Sequence, residues 1–217
     1  MRYPRIHKQL SRQKIVRAAA RAFNRRGFDG IGIADIMKEA GLTQGAFSGH
    51  FSSKDELIHE AINHAFRTSV FLKEDWKSRP LEDLLHHYLS DFHRDETEGC
   101  CPVSTLTADV SRLPRRTRET FLVHLSQILS SIESRIPDNV RGAERRVVTI
   151  SLFALLLGSI QLSRVSRGTE LSDVIIEAAI KGANRLIGRQ TASKSKSGRK
   201  GDGARLAARS GQSVTGN

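Results

Sequence analysis

Residues 33–51 read I-A-D-I-M-K-E-A-G-L-T-Q-G-A-F-S-G-H-F. Ile33, Ile36, Met37 and Ala40 fall on one side of a short helix, the spacing of a buried helical face. Gly41 then stands where a helix-ending C′ glycine would. Thr43 can cap a second short helix over 44–50, with Phe47 and Phe51 as its apolar anchors. Gly45, Ala46 and Gly49 leave the other side of that helix thin, so it can lie close against another molecule. Two short helices joined by a tight glycine turn form a helix-turn-helix. In that arrangement the second helix enters the major groove of DNA and the first lies across it.

The flanks carry the same helical signal. Ser11 is placed to cap a helix running to Arg26, with Ile15, Ala19, Ala22 and Phe23 at helical spacing and Gly27 behind it. Ser53 and Glu56 have capping-box spacing and open a long helix towards Ser69. Further helices are expected over 81–92, 102–111, 115–135, 141–167 and 171–188, and no strand pattern occurs. The 141–167 helix is apolar nearly all round through its middle, which requires burial on more than one side. The last helix has two apolar stripes: Leu171, Val174, Ile175, Ala178 and Leu186, and Ile176, Ile180, Ala183 and Ile187. One stripe serves its own domain and the second wants a partner. The expectation is an all-α chain of about nine helices. Its parts are a basic arm (1–10), a three-helix DNA-binding domain (11–55), a helical second domain (56–188) and a basic tail (189–217) too poor in apolar residues to order.

The charge distribution agrees with a polyanion partner. Of the net +12, residues 1–30 contribute +8 (nine Arg/Lys, one acid) and residues 189–217 contribute +6 (seven against one), leaving −2 for the remainder. Gln44, Ser48 and His50 are the polar side chains of the second helix able to reach bases or phosphates, and glutamine pairs well with adenine. Lys54, at the start of the next helix, suits a phosphate. Gly32, Ile33, Thr43, Gly45, Ala46 and Gly49 complete the expected DNA-facing set. The most apolar run, residues 147–162, is 16 residues with four polar positions, short of the roughly 20 needed to span a bilayer. The start of the chain lacks a signal-peptide apolar region, and a cytoplasmic, nucleoid-associated protein is expected. No nucleophile–base pair, phosphate loop or paired-carboxylate pattern suggests an enzyme, and no cofactor is called for. Cys100 and Cys101 are adjacent, and with His86, His87 and His93 they lack metal-ligand spacing.

Residues 27–57, G-F-D-G-I-G-I-A-D-I-M-K-E-A-G-L-T-Q-G-A-F-S-G-H-F-S-S-K-D-E-L, resemble the DNA-binding domain of the tetracycline-repressor (TetR/AcrR) family. Three positions depart from that family's pattern. Ser48 stands where relatives carry tyrosine, Gly32 where Thr or Ser caps the second helix, and Met37 where alanine is usual. The resemblance implies a ligand-responsive repressor, dimeric on a palindromic operator, with a small-molecule pocket in the second domain. It also implies a dimer interface built from the last two helices, here expected at Phe153, Leu156, Ile160, Ile176, Ile180, Ala183 and Ile187. Residues 88–110 further resemble a subgroup carrying H-R-D near a G-C-P segment. Cys100, Cys101, His93 and Phe121 are therefore the expected effector or redox positions, since a thiolate at a helix start is activated. The rival reading is a basic architectural DNA-binding protein without an effector, which the basic tail favours.

Overall fold

The computed structural model describes residues 3–188, and the expectation for the 189–217 tail lies outside them. Nine α-helices and two short 3₁₀ segments make up the described chain, with no strand among those residues. The first helix, α1, spans Tyr3–Arg26. It starts eight residues before Ser11, so Ser11 is an interior position and most of the expected basic arm is helical. Pro4 sits in the first turn, where a missing N–H costs nothing, and no breaker follows before Gly27. Gly27 ends the helix at φ +73°, its N–H bonded to Phe23 O at 2.8 Å.

The helix α2 spans Ile33–Glu39, Gly41 makes the turn at φ +70°, and a 3₁₀ segment covers Gln44–Gly49. The expected recognition helix is thus only about two tight turns of 3₁₀ helix. Glycines at two of its six positions weaken propagation into a full α-helix. Next, α3 spans Lys54–Arg67. Ile15, Ala19 and Phe23 of α1, Ile36 and Met37 of α2, Phe51, and Leu57, Ala61 and Ile62 of α3 are all at most 2% exposed. Met37 is fully buried there, so the departure from alanine is absorbed in the core.

The second half contains α4 (Leu81–Tyr88), α5 (Asp91–Asp95), α6 (Pro102–Val110), α7 (Arg115–Glu133), α8 (Gly142–Val165) and α9 (Glu170–Leu186). The helix expected over 81–92 is broken at Leu89, and Ser90 restarts it as α5 by accepting the His93 N–H at 3.2 Å. The helix α3 belongs to both halves, packing on α1 and on α7, and the buried side chains form one cluster from Ile15 to Ile187. By length and composition α8 could cross a membrane. Its Leu152, Phe153, Leu156 and Ile160 are instead at most 3% exposed, sealed mainly against α9 and α7, whereas Val147, Ile150, Leu162 and Val165 on the other side are 48% to 89% exposed, so the burial expected on more than one side is met within the chain on one face only.

Candidate nucleic-acid interface

None of the six residues of the Gln44–Gly49 segment is buried. It is a surface turn held from behind by half-buried Leu42, Ala46 and Phe47 and by buried Phe51. The Phe47 and Phe51 rings stack with centroids 5.6 Å apart. Gln44, Thr43, Ser48 and Gly49 face solvent, and Thr43 occupies the N-cap position without using its hydroxyl as a cap. A Cβ built on Gly45 or Gly49 meets no atom within 4 Å. Neither glycine is needed for packing within the chain, so the space in front of them is free for a second molecule. Gly32 is likewise exposed at the N-cap of α2, followed by half-buried Ile33.

Two expected contacts take a different form. The Nδ1 of His50 is buried without a partner. Burial, with Lys8 and Arg12 nearby, lowers the His50 pKa below its ordinary value, so the ring is neutral at pH 7 and offers no cation to a phosphate. Lys54 donates to Ile31 O at 3.0 Å, tying the loop before α2 to the start of α3. The capping box is also shifted. Ser53 Oγ accepts the Glu56 N–H at 3.1 Å, but the Glu56 carboxylate turns to the N–H and hydroxyl of Ser52, both at 2.7 Å.

Arg12 joins these parts, and the sequence reading missed it. Its guanidinium donates to His50 O, to Glu56 at 2.9 Å and to Glu60, and lies 4.1 Å over the Phe51 ring. One side chain of α1 thereby holds the exit of the recognition segment and the start of α3. The sequence held a signal for it: position 12 continues the buried 15–19–22 register of α1, where a charge requires partners. Three of the basic residues in α1 are consumed internally, Arg12 by Glu56 and Glu60, Arg21 by Glu98, and Arg25 by Glu39 and Glu98. Exposed Lys8 remains beside the 44–50 segment, acting directly on His50.

The expected effector positions divide. Cys100, Cys101 and His93 come together, with Cys100 Sγ 3.7 Å from His93 Nδ1. Phe121 lies elsewhere, edge-on to Phe66 at 5.0 Å between α7 and α3. Both thiols are buried at 3% and 2% exposure, and burial pushes each up to about 11. The α6 start therefore does not produce the activated thiolate expected for a redox sensor, since desolvation of the charged form outweighs Arg164 and the helix terminus.

The expected dimer set is corrected more sharply. Phe153, Leu156, Ile160, Ala183 and Ile187 are at most 3% exposed in the chain's own core, and Ile176 and Ile180 are half-buried against it. The stripe with Ala183 faces inward because α8 and α9 pack closely. A Cβ on Gly182 would already stand 3.3 Å from Leu155. The outward face instead presents Ile150, Leu162 and Val165 of α8 and Leu171 and Val174 of α9, from 48% to 89% exposed.

The link between halves is also structural news. Asn24, 6% exposed on α1, donates to Glu98 O at 3.1 Å and Cys100 O at 3.2 Å and accepts from Thr105 Oγ1 at 2.9 Å. Arg21 binds the Glu98 carboxylate from the same helix at 2.7 Å. The 96–101 segment is thus gripped by α1 on one side and continues into the buried cysteines on the other.

Among the described residues the fold is all-helical, with a surface helix-turn-helix at one end and a helical second half. The comparisons agree. Residues 15–61 match the family model described as "Bacterial regulatory proteins, tetR family". The chain is 25% identical over 183 residues to the HTH-type transcriptional repressor DhaR of a Mycobacterium species, covering 78% of this chain and 92% of that one. To the HTH-type transcriptional regulator TtgR of Pseudomonas putida it is 34% identical over 106 residues, covering 36% of this chain and half of TtgR. Among solved structures, Escherichia coli NemR in its reduced form superposes with TM-score 0.65 at 20% identity, over 81% of this chain and 97% of that one. A TetR-family regulator from Agrobacterium tumefaciens gives 0.62 at 20%, over 81% and 98%. These relatives are regulators of transcription by name.

Substituting Gly45 by alanine separates packing from recognition. The new methyl meets nothing in the free protein, so thermal stability should hold or rise slightly, alanine being favoured by ~0.5–1 kcal/mol in helical backbone. Affinity for the selected operator should fall by about tenfold, roughly 1.4 kcal/mol. Unchanged affinity would remove Gly45 from the interface.

Proposed function

We propose that this protein is a dimeric, effector-released transcriptional repressor that reads a palindromic operator in the cytoplasm with its 43–50 segment. The observation that carries this reading is the exposed, glycine-fronted Gln44–Gly49 turn, locked to α1 by Arg12, with exposed Lys8 of α1 close to His50. Gln44 and Ser48 are its base-reaching side chains, and Gly45, Ala46 and Gly49 let the main chain approach. Ser48 is short and exposed, so it makes a lighter backbone contact than the tyrosine of relatives. The outward stripe of α8 and α9 forms the dimer interface, setting two recognition turns roughly 34–36 Å apart, one helical turn of DNA. An effector in the second domain moves the 96–101 segment, Asn24 and Arg21 carry that shift to α1, and the spacing no longer fits.

Selection of genomic fragments by the purified protein tests the reading. One enriched palindrome upstream of a single operon is the expected result. Binding with steep salt dependence and no enriched motif would instead make it an architectural protein. Lys54→Ala refines the interface. If its ammonium reaches a phosphate as well as Ile31 O, affinity falls about equally across sequences and the salt slope drops by about one. An unchanged slope would confine Lys54 to the loop contact.

A further inference from the structure

Three buried polar atoms in the interior of the second half lack a hydrogen-bond partner: Ser69 Oγ, Tyr88 Oη and His93 Nε2. Their residues are 1%, 0% and 4% exposed. They belong to one cluster. The Tyr88 and His93 rings are 4.3 Å apart. The Tyr88 hydroxyl lies beside Ser104, and the Ser69 hydroxyl beside the Cys101 thiol, but neither approach has hydrogen-bond geometry. Burying such atoms unpaired is costly and rare, and a cluster of three calls for a partner from outside the chain.

The chemistry of that partner follows from charge. Arg164 is the charged neighbour shared by Tyr88, His93 and Cys101. Its guanidinium is already spent: Nε donates to Arg94 O at 3.1 Å, Nη1 to Ser104 O at 3.2 Å, and Nη2 to His93 O at 3.0 Å and Cys100 Sγ at 3.2 Å. Burial keeps His93 neutral, its pKa lowered to about 3, and holds the Tyr88 hydroxyl and Cys101 thiol protonated. An anion would find no free guanidinium N–H here, and a cation no charged group on Ser69, Tyr88 or His93.

We propose that Ser69, Tyr88 and His93 form an effector subsite for a compact, uncharged molecule carrying both a hydrogen-bond donor and an acceptor, such as an amide or an alcohol. The proposal rests on the regulator reading above and deepens it. The subsite is also well placed to be read out, because His93 and Cys101 flank the 96–101 segment that Asn24 binds from α1.

Thermal unfolding of the full-length protein with propionamide, propionate and propylammonium tests this, since the three probes share a size and differ in charge. Propionamide should raise the wild-type Tm by about 2–4 °C near saturation and the two ions should not. Without probe, Tyr88→Phe should unfold at the wild-type temperature or above, because it removes an unpaired hydroxyl, and the propionamide shift should shrink at least threefold. Ser69→Ala should behave alike. A lowered Tm for both variants without probe would overturn the proposal by showing that the hydroxyls are bonded within the chain. Equal shifts from the ions, or none from propionamide, would overturn it too. Operator binding without probe is measured in parallel. Its failure sinks the repressor reading while leaving the thermal shifts intact, and silent probes with intact operator binding sink the subsite alone.

Discussion

Arg12→Ala should lower operator affinity by about 10–100-fold while leaving the salt slope unchanged. The estimate follows from losing charge-assisted hydrogen bonds worth about 1.5–3 kcal/mol, here partly solvated. Arg12 contacts His50 O, Glu56, Glu60 and the Phe51 ring at once. Without it the recognition turn keeps its sequence but loses its fixed attitude towards α1. Arg12→Lys should not rescue, since an ammonium cannot span a carbonyl, two carboxylates and an aromatic face. Titration of a labelled operator at several salt concentrations measures both quantities. A slope reduced by about one would make Arg12 a phosphate contact, and affinity within twofold of wild type would remove its positioning role. The same joint has an acid limit. Ser52, through its N–H and hydroxyl, and then Arg12 hold Glu56 down to about 2, below its ordinary value. Stabilisation from a depressed carboxylate is complete above its unfolded pKa and is lost as pH falls through the folded value. The window for this joint therefore runs from about 4.3 down to about 2, and Glu56→Gln should flatten the acid limb of stability across it.

Asn24→Ala should destabilise the protein by about 2–4 kcal/mol, a drop in Tm of roughly 6–12 °C. Three hydrogen bonds end on this one buried amide, and its removal strands Glu98 O and Cys100 O and leaves the Thr105 hydroxyl only its longer bond to Pro102 O. Asn24→Asp is the sharper variant, because a carboxylate accepts from Thr105 but cannot donate to either carbonyl. If Asn24 transmits the effector signal, both variants should retain operator binding below their Tm and respond less to any effector. A normal effector response in a destabilised Asn24→Asp protein would limit the residue to structural support.

Much of this was legible in the chain. The alternation of apolar positions at helical spacing marked every long helix, and Gly27 and Gly41 marked the two turns that frame the helix-turn-helix. These are local signals, and local backbone preference decides them. The recognition turn was located by its glycines and by Phe47 and Phe51, although as a 3₁₀ turn and not an α-helix. The reading failed where two solutions share one pattern. The stripes of α9 are equally apolar, and only the close approach of α8 decides that Ala183 and Ile187 face inward and Leu171 and Val174 outward. At Cys100 and Cys101 the position at a helix start was read correctly, but its chemistry depends on burial that no local pattern reveals.

The sequence by itself determined the all-helical class, the helix-turn-helix and the place of its 43–50 segment, because periodicity, capping and backbone freedom act within a few residues. Tertiary structure alone decided that Arg12 locks that segment, that Asn24 joins the two halves, and that Ser69, Tyr88 and His93 meet unpaired in the interior. Those partners lie tens of residues apart, so their meeting depends on how whole helices pack.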